Sequence, residues 1–287
     1  MIKKLLCALA LMITCSAAQA AGGGYTLDKA PDRINDLASL QNGAKLFVNY
    51  CLNCHSASAM RYNKLKDIGL TDEQIKESLL FTGEKVGDLM VGSLSAKDGK
   101  AWFGVPPPDL SVIARAKAQS ASVTGADYLY TYLRTFYRDT SKPTGWNNLA
   151  FPNAGMPHVL WERQGPRSMT EVVLHQHESA GDKGSHGPAL WERVTTTYDA
   201  AGYSTSKTEE VKGYNGNAST VYQFKAADAA RSAAYDNDIA DLTAFMTWMS
   251  EPIQQTRKQI GVWVMLFLGL FLVVAWRLNA SYWKHVK

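Results

Sequence analysis

Two cysteines and a histidine stand together in the pentapeptide Cys51-Leu52-Asn53-Cys54-His55. The spacing C-x-x-C-H is the attachment signature of a c-type haem. On a helix, positions i, i+3 and i+4 share one face, so two sulfurs can bond a macrocycle edge while an imidazole lies beneath its iron. The motif therefore predicts one covalent haem c, with thioether bonds at Cys51 and Cys54 and with His55 as an iron ligand.

Two other chemistries use the same residue types. A structural zinc site needs four ligands, and the remaining cysteines, Cys7 and Cys15, lie in an N-terminal segment that is expected to be removed. A thioredoxin-type redox pair needs a βαβ context, which the helical pattern before Cys51 does not supply. Haem attachment is therefore favoured over both.

The haem iron needs a second axial ligand. The candidates are Met60, Met90, Met156, Met169, Met246, Met249, His158, His175, His177 and His186. Met156 ends a segment stiffened by Pro and Gly at 151–155, and an irregular loop of this kind can fold over the far side of a haem. Met156 is the preferred ligand, with Met90 and His158 as alternatives. A Met/His pair leaves no open iron position, which indicates electron transfer rather than turnover at the haem.

Several other candidate ligands have simpler interpretations. Met60 follows the motif too closely to reach the other side of the ring. Met246 and Met249 lie on an amphipathic pattern and are expected to be packing residues. The histidines between 175 and 186 lie in a polar, Gly-rich stretch that we interpret as a solvated loop rather than a metal site.

Both ends of the chain carry apolar runs. The first twenty residues combine two lysines, a short apolar stretch and the ending Ala-Gln-Ala, which predicts a signal peptide at 1–20. Ile260–Trp276 has no charged residue, and this indicates a transmembrane helix at 257–277. The expected product is a single-pass protein of the bacterial inner (cytoplasmic) membrane, with a periplasmic domain at 21–256 and a cytoplasmic tail at 278–287.

The charge of the exported part differs from that of the whole chain. Residues 21–256 contain 23 Lys and Arg against 26 Asp and Glu, a net charge of 23 − 26 = −3. A domain without basic excess is not expected to bind nucleic acid. A mildly acidic surface can instead attract a basic partner.

Helical patterns surround the motif. Apolar residues spaced 3, 4 and 3 between Leu37 and Phe47 predict a helix that leads to Cys51. Thr71 and Thr124 are each followed three residues later by Gln or Asp, which has the form of a capping box at a helix start. A last soluble helix is predicted over 238–249.

Two stretches lack this periodicity. Residues 82–108 are rich in Gly and end in three prolines, which predicts a loop. From about 162 to 237, Gly, Ser and Thr are common and apolar residues alternate, so we expect strand pairs in an insertion packed on the haem domain. Leu-Trp-Glu-Arg occurs at 160–163 and again at 190–193, which we interpret as coincidence rather than as paired strands.

Several motifs together resemble the cytochrome c1 family, whose members are the haem c subunit of the cytochrome bc1 (quinol:cytochrome c oxidoreductase) complex. In chain order they are Cys51 to His55, Met60-Arg61-Tyr62, Pro107-Pro108-Asp109-Leu110-Ser111 with Arg115, Asp127-Tyr128, Pro143-Thr144-Gly145, Phe151-Pro152 through Gly155-Met156, and Trp248-Met249-Ser250-Glu251-Pro252. The resemblance covers roughly 35–160 and 238–287. The segment at about 162–237 matches none of the family motifs.

The resemblance implies a mainly α fold, with a class I cytochrome c-like haem domain, a loop- and β-containing insertion and one C-terminal transmembrane helix. It also implies two axial ligands, His55 and Met156, and two residues near the haem propionates, Arg115 and Tyr128, whose guanidinium and phenol would offset carboxylate charge. The implied haem-binding set is therefore Cys51, Cys54, His55, Met156, Arg115 and Tyr128.

The implied function is respiratory electron transfer. The haem would accept one electron from a Rieske iron–sulfur protein and pass it to a soluble cytochrome c, while a cytochrome b subunit oxidises quinol, so this chain alone would not be an enzyme. One alternative is a free-standing, membrane-anchored cytochrome c that serves another reductase or oxidase. Another is a haem enzyme with five-coordinate iron, such as a peroxidase.

Overall fold

A computed structural model describes residues 25–177 and 190–285 of the chain. The predicted signal peptide at 1–20 and His186 lie outside the described residues. In chain order the α-helices are α1 Leu37–Leu46, α2 Asp72–Ser78, α3 Ala96–Phe103, α4 Ile113–Ala116, α5 Gly125–Arg134, α6 Trp161–Gln164, α7 Ala229–Ser250 and α8 Gln254–Tyr282. A π-helical turn, Phe47–Cys51, extends α1, and 3-10 turns cover Tyr62–Ile68 and Trp283–His285.

The strands form three antiparallel arrangements. They are β1 Ala57–Arg61, β2 Leu89–Met90, β3 Phe136–Arg138, β4 Trp146–Asn148, β5 Arg167–His177, β6 Leu190–Tyr198, β7 Ser204–Val211 and β8 Ser219–Ala226. β1 pairs with β2, and β3 pairs with β4. The other four form one sheet in the order β7-β6-β5-β8, which confirms the predicted strand pairs after residue 162.

Local capping interactions start the helices that precede the site. The side chain of Asp36 accepts hydrogen bonds from two N–H groups in the first turn of α1. Both predicted capping boxes are confirmed: Thr71 and Gln74 exchange side-chain-to-backbone bonds at the start of α2, and Thr124 and Asp127 do so at α5. Each box satisfies backbone N–H groups that a helix start leaves without partners.

The helical core forms where α1 crosses α7. A Cβ atom at Gly43 would lie 2.2 Å from the carbonyl oxygen of Asp241 and 2.6 Å from Cβ of Phe245, so the two backbones approach closely only because residue 43 is glycine. The rings of Phe47 and Phe245 then meet with their centroids 5.5 Å apart. This crossing holds the end of α1, and hence the C-x-x-C-H motif, against α7.

The four-stranded sheet is attached to the helical core at the root of β5. Met169 is buried there beside Tyr137 and Leu149. Arg167 donates through Nη2 to the carbonyl oxygens of Arg134, at 2.6 Å, and Phe136. The insertion therefore contacts the last residue of α5 and the first residue of β3.

Three features of the secondary structure differ from the sequence predictions. The loop predicted over 82–108 contains α3, because the hydroxyl of Ser95 accepts a hydrogen bond from the N–H of Asp98 and starts a helix. The last soluble helix begins at Ala229 rather than at residue 238, because the carboxylate of Asp228 caps it. His175 and His177 lie on β5, so the predicted solvated loop is wrong at these two positions.

The repeated tetrapeptide does not mark paired strands. Its first copy runs into α6, whereas its second begins β6. Near the C-terminus, α8 extends beyond the predicted 257–277 at both ends, and Pro252 lies in the turn before it. Among the described residues, α8 is the one helix that is long and apolar enough to cross a membrane, and its apolar stretch is not buried in the protein.

Candidate haem site

A cavity of about 320 Å³ lies beside the C-x-x-C-H motif. Its walls come from the end of α1, the three-proline segment before α4, the cavity-facing side of α5 and the loop that ends at Met156. Most lining side chains are apolar or aromatic. Of the predicted haem-binding residues, the cavity brings together Cys51, Cys54, His55, Tyr128 and Met156, but it does not include Arg115.

Cys51 ends the π-helical turn, and Cys54 lies in the turn that follows it. The N–H groups of Cys54 and His55 donate to the carbonyl oxygen of Cys51 at 3.1 and 2.8 Å, which keeps the motif in a tight turn. Neither thiol forms a disulfide. Burial raises the pKa of Cys51 to about 12. A neutral, buried thiol of this kind is unlike a reactive or zinc-binding thiolate, which needs a lowered pKa.

His55 is oriented as a metal ligand. Its Nδ1 lies 2.8 Å from the carbonyl oxygen of Pro108. Since a carbonyl can only accept, Nδ1 carries the proton and Nε2 keeps its lone pair in the neutral ring. Burial lowers the pKa of His55 and so favours this neutral form. In metal-ligating histidines, the ring nitrogen that does not bind the metal usually donates a hydrogen bond that fixes the tautomer.

A carboxylate holds the segment that carries the Pro108 carbonyl. Asp109 accepts from the N–H and hydroxyl of Ser58 at 2.8 and 2.6 Å, and from the N–H of Ser111 at 2.8 Å. Burial alone would raise the pKa of Asp109, but these hydrogen bonds hold it below its usual range. Asp109, the residue directly after Pro108, thus fastens to β1 the segment that carries the acceptor for His55.

Met156 enters the cavity from the loop after β4. The hydroxyl of Tyr132, on α5, donates to its Sδ atom at 3.6 Å. Burial, with a smaller contribution from Tyr128, raises the pKa of Tyr132 well above its usual range, so the donor stays protonated. Among the methionines of the described residues, only Met156 and Met246 line the cavity, and Met246 belongs to the buried face of α7.

The two alternative ligands lie elsewhere. Met90 is fully buried in β2 opposite Ala57. His158 is 1% exposed and stacks on Phe136 with the ring centroids 4.8 Å apart. Neither side chain lines the cavity, and both have packing roles in the core.

Lys117 was not singled out from the sequence. Among the described residues it is the only Lys, Arg, Asp or Glu that lines the cavity, and its Nζ lies 4.9 Å from the ring centroid of Tyr128. Ile113 and Lys117 are four residues apart and share one face of the α4 turn, whereas Arg115 points away from that face. The four-residue spacing of Ile113 and Lys117 is a sequence signal for a shared helix face. It can be recognised only if the start of α4 at Ile113 is known.

The residues present fit a covalently bound haem c. Two thiols adjoin an imidazole whose Nε2 keeps its lone pair, a thioether lines the same cavity, and a lysine provides one cation for carboxylate groups. The rest of the wall is apolar or aromatic, which suits a macrocycle.

Comparisons with known proteins agree with this site. The family model described as the Cytochrome C1 family matches residues 29–86 and 223–286. A cytochrome c1 of Allochromatium vinosum is 37% identical over 99% of both chains, and a cytochrome c1 of Rhodospirillum rubrum is 24% identical over 100% of this chain and 98% of the relative. A protein of Nitrosomonas europaea named ammonia monooxygenase gamma subunit is 40% identical over 100% of this chain and 99% of the relative. On the strength of its match to the Allochromatium protein, the chain belongs to the cytochrome c1 family.

Proposed function

We propose that this chain passes single electrons from a Rieske iron–sulfur protein to a soluble cytochrome c, within a quinol:cytochrome c oxidoreductase that also contains a cytochrome b subunit. Family membership establishes the coarser statement: the chain is a haem c subunit of a membrane complex in respiratory electron transfer. The haem supplies reversible one-electron redox chemistry when bound.

One observation carries the proposal: a single cavity brings the motif at 51–55 together with Met156, about a hundred residues away. Cys51 and Cys54 would hold the haem through thioether bonds, and His55 and Met156 would be the axial ligands. With both axial positions filled by side chains, the site favours electron transfer over binding of dioxygen or peroxide.

Lys117 and Tyr128 would meet the haem propionates. Both line the cavity, and an ammonium beside a carboxylate forms a charge-assisted hydrogen bond. The family resemblance also implies Arg115 at the propionates, but Arg115 does not line the cavity and its charge acts on Glu251. If Lys117 offsets propionate charge, Lys117→Gln lowers the reduction potential, whereas Lys100→Gln on exposed α3 leaves it unchanged.

Electron partners would approach the exposed rim of the cavity. Val105 and Phe151 line the cavity and are 64% and 52% exposed. Apolar groups at the rim allow close, short-lived contact, and the acidic balance of residues 21–256 favours a basic acceptor. Val105→Lys replaces an apolar contact with a charge that repels a basic acceptor, so it is expected to slow transfer to a soluble cytochrome c without changing the absorption spectrum.

The proposed topology places the signal peptide at 1–20, the haem domain at 21–256 in the periplasm, the membrane helix at 257–277 and the tail at 278–287 in the cytoplasm. Glu251 stabilises the turn between α7 and α8. Its carboxylate accepts a hydrogen bond from Nη2 of Arg257 at 3.1 Å and also contacts Nε of Arg257. Protease added to intact spheroplasts should cleave the haem domain and spare a tag placed after residue 287.

Purification in mild detergent tests the complex. We expect cytochrome b and a Rieske protein to copurify, and reduction by quinol to require them. Isolation as a lone subunit with full haem would instead favour a free-standing anchored cytochrome c. Copurification with monooxygenase subunits would favour a second candidate, suggested by the name of the Nitrosomonas europaea relative.

Optical spectra test the haem itself. A pyridine haemochrome spectrum of the denatured chain should show haem held by two thioether bonds, and the pigment should resist acid-acetone extraction. A low-spin ferric spectrum is expected from the two axial ligands. A high-spin spectrum with a strong response to peroxide would favour the peroxidase alternative.

A further inference from the structure

Asn148, the last residue of β4, is buried between α5 and the loop that carries Met156. It is 1% exposed, and each polar atom of its amide has a partner. Its Nδ2 donates to the carbonyl oxygen of Tyr132 at 2.7 Å. Its Oδ1 accepts from the N–H groups of Ala150 and Phe151 at 2.9 and 3.0 Å, and from the hydroxyl of Thr135 at 3.2 Å.

These contacts link two parts of the cavity wall. On one side Asn148 binds the last turn of α5, and on the other it binds the N–H groups of Ala150 and Phe151 in the loop 149–157. Tyr132 contacts Asn148 through its carbonyl oxygen and Met156 through its hydroxyl. Asn148, Tyr132 and Met156 are therefore joined in a closed ring: hydrogen bonds connect Asn148 to Tyr132 and Tyr132 to Met156, and the loop 149–157 connects Met156 back to Asn148.

The neighbouring amide strengthens the same loop. Asn147 accepts through Oδ1 from the N–H of Asn153 at 2.8 Å. Asn153 has a φ of 61°, a left-handed conformation that Asn adopts more readily than most residues. In this loop, side-chain amides thus form the hydrogen bonds to backbone N–H groups that carbonyl groups form in a helix or strand.

We infer that Asn148 is a positioning residue for Met156: it sets where the thioether stands in the cavity without touching the haem itself. This inference rests on the proposed role of Met156 as an axial ligand. Because the loop has no strand or helix of its own, losing the bonds to Ala150 and Phe151 lets it leave the cavity more often.

Cyanide binding to the ferric protein measures how often Met156 is displaced, since cyanide needs a vacant iron position. One hydrogen bond is worth about two- to twelvefold in an equilibrium constant, so the two loop-facing bonds correspond to roughly 5- to 150-fold. Asn148→Ala, in the full-length haem-loaded protein in mild detergent, should raise the apparent cyanide affinity by that factor and weaken the methionine–ferric charge-transfer band.

Two control variants make the result specific. Ile75→Ala removes a fully buried side chain that does not line the cavity, so it should lower the unfolding temperature without changing cyanide affinity. Met156→Leu should give the highest affinity of the series. If Met156→Leu leaves cyanide affinity unchanged, the proposed ligand is wrong, and that failure is distinct from one confined to Asn148.

The inference fails if Met156→Leu raises the affinity while Asn148→Ala stays within twofold of the wild type. It also fails if Ile75→Ala produces the same rise. Should Asn148→Ala not retain haem, Asn148→Ser is judged by the same criterion, because its shorter hydroxyl cannot reach both loop N–H groups.

Discussion

Removing the hydroxyl of Tyr132 should lower the reduction potential of the haem. The hydroxyl donates to Sδ of Met156 at 3.6 Å. A hydrogen bond to the thioether draws electron density away from sulfur. At the proposed axial position of Met156, a sulfur that gives less electron density to the iron stabilises the ferrous form relative to the ferric form. Tyr132→Phe keeps the ring, which stacks on Tyr128 and meets Phe136 edge-on, so the change is confined to one hydrogen bond.

The size of the effect follows from the strength of that bond. A thioether is a weak hydrogen-bond acceptor. We therefore assign this hydrogen bond about 0.5–1 kcal/mol, the lower part of the usual range, as the amount by which it stabilises the ferrous form relative to the ferric form. Since about 59 mV corresponds to tenfold for one electron, the potential should fall by about 20–45 mV. The raised pKa of Tyr132 keeps its proton in place, so the difference between variant and wild type should not change between pH 6 and 9.

A spectroelectrochemical titration of the haem measures this shift. Tyr130→Phe is the matched control, because Tyr130 is a buried tyrosine of the same helix, α5, that does not line the cavity. The reasoning is refuted if Tyr132→Phe leaves the potential unchanged, or if Tyr130→Phe lowers it equally.

Three other predictions use different parts of the structure. Met156→Leu should leave the haem attached but lower its potential by more than Tyr132→Phe does, in the same titration; an unchanged potential would show that Met156 is not the ligand. Gly43→Ala should lower the free energy of unfolding by about 1–3 kcal/mol in denaturant titrations, because a Cβ there would lie 2.2 Å from the carbonyl oxygen of Asp241; equal stability would contradict the close crossing. Asp109 has a folded-state pKa below its unfolded value, so its stabilisation is present above about pH 4 and is lost as the pH falls through the folded-state pKa. Thermal unfolding should therefore show a gap between wild type and Asp109→Asn that is constant near neutral pH and narrows in acid.

Several helix starts and other local features, which are set by residues close together in the chain, were predicted correctly from the sequence. The capping boxes at Thr71 and Thr124 and the helix before Cys51 each depend on side chains within one or two helical turns, and all three are confirmed. The start of α3 at Ser95 had the same kind of signal. It was missed because the surrounding glycines and prolines favoured a loop.

Residues whose role depends on a neighbouring element were harder to find. Lys117 faces the cavity and Arg115 does not, because α4 begins at Ile113, and no sequence pattern marked that start. Asn148 looks like an ordinary turn residue in sequence, since Asn is common before irregular segments. Its bonds to Tyr132 and Phe151 depend on β4 lying against the end of α5.

These observations make α5 the common frame of the site. Its first turn is held by Thr124 and by Asp127, which also pairs with Lys29 at 2.8 Å. At its other end, Asn148 binds the carbonyl oxygen of Tyr132, and Arg167, from the root of the sheet, binds that of Arg134.

Burial lowers the pKa of Arg167 to about 10, which still leaves it charged at neutral pH, and a cation is favourable at a helix C-terminus. A helix fixed at both ends presents Tyr128 and Tyr132 to the cavity at set positions. The four-stranded sheet therefore acts on the site through the contact of Arg167 with the end of α5. Loosening the Arg167 contact should disturb Met156 even though the sheet does not line the cavity.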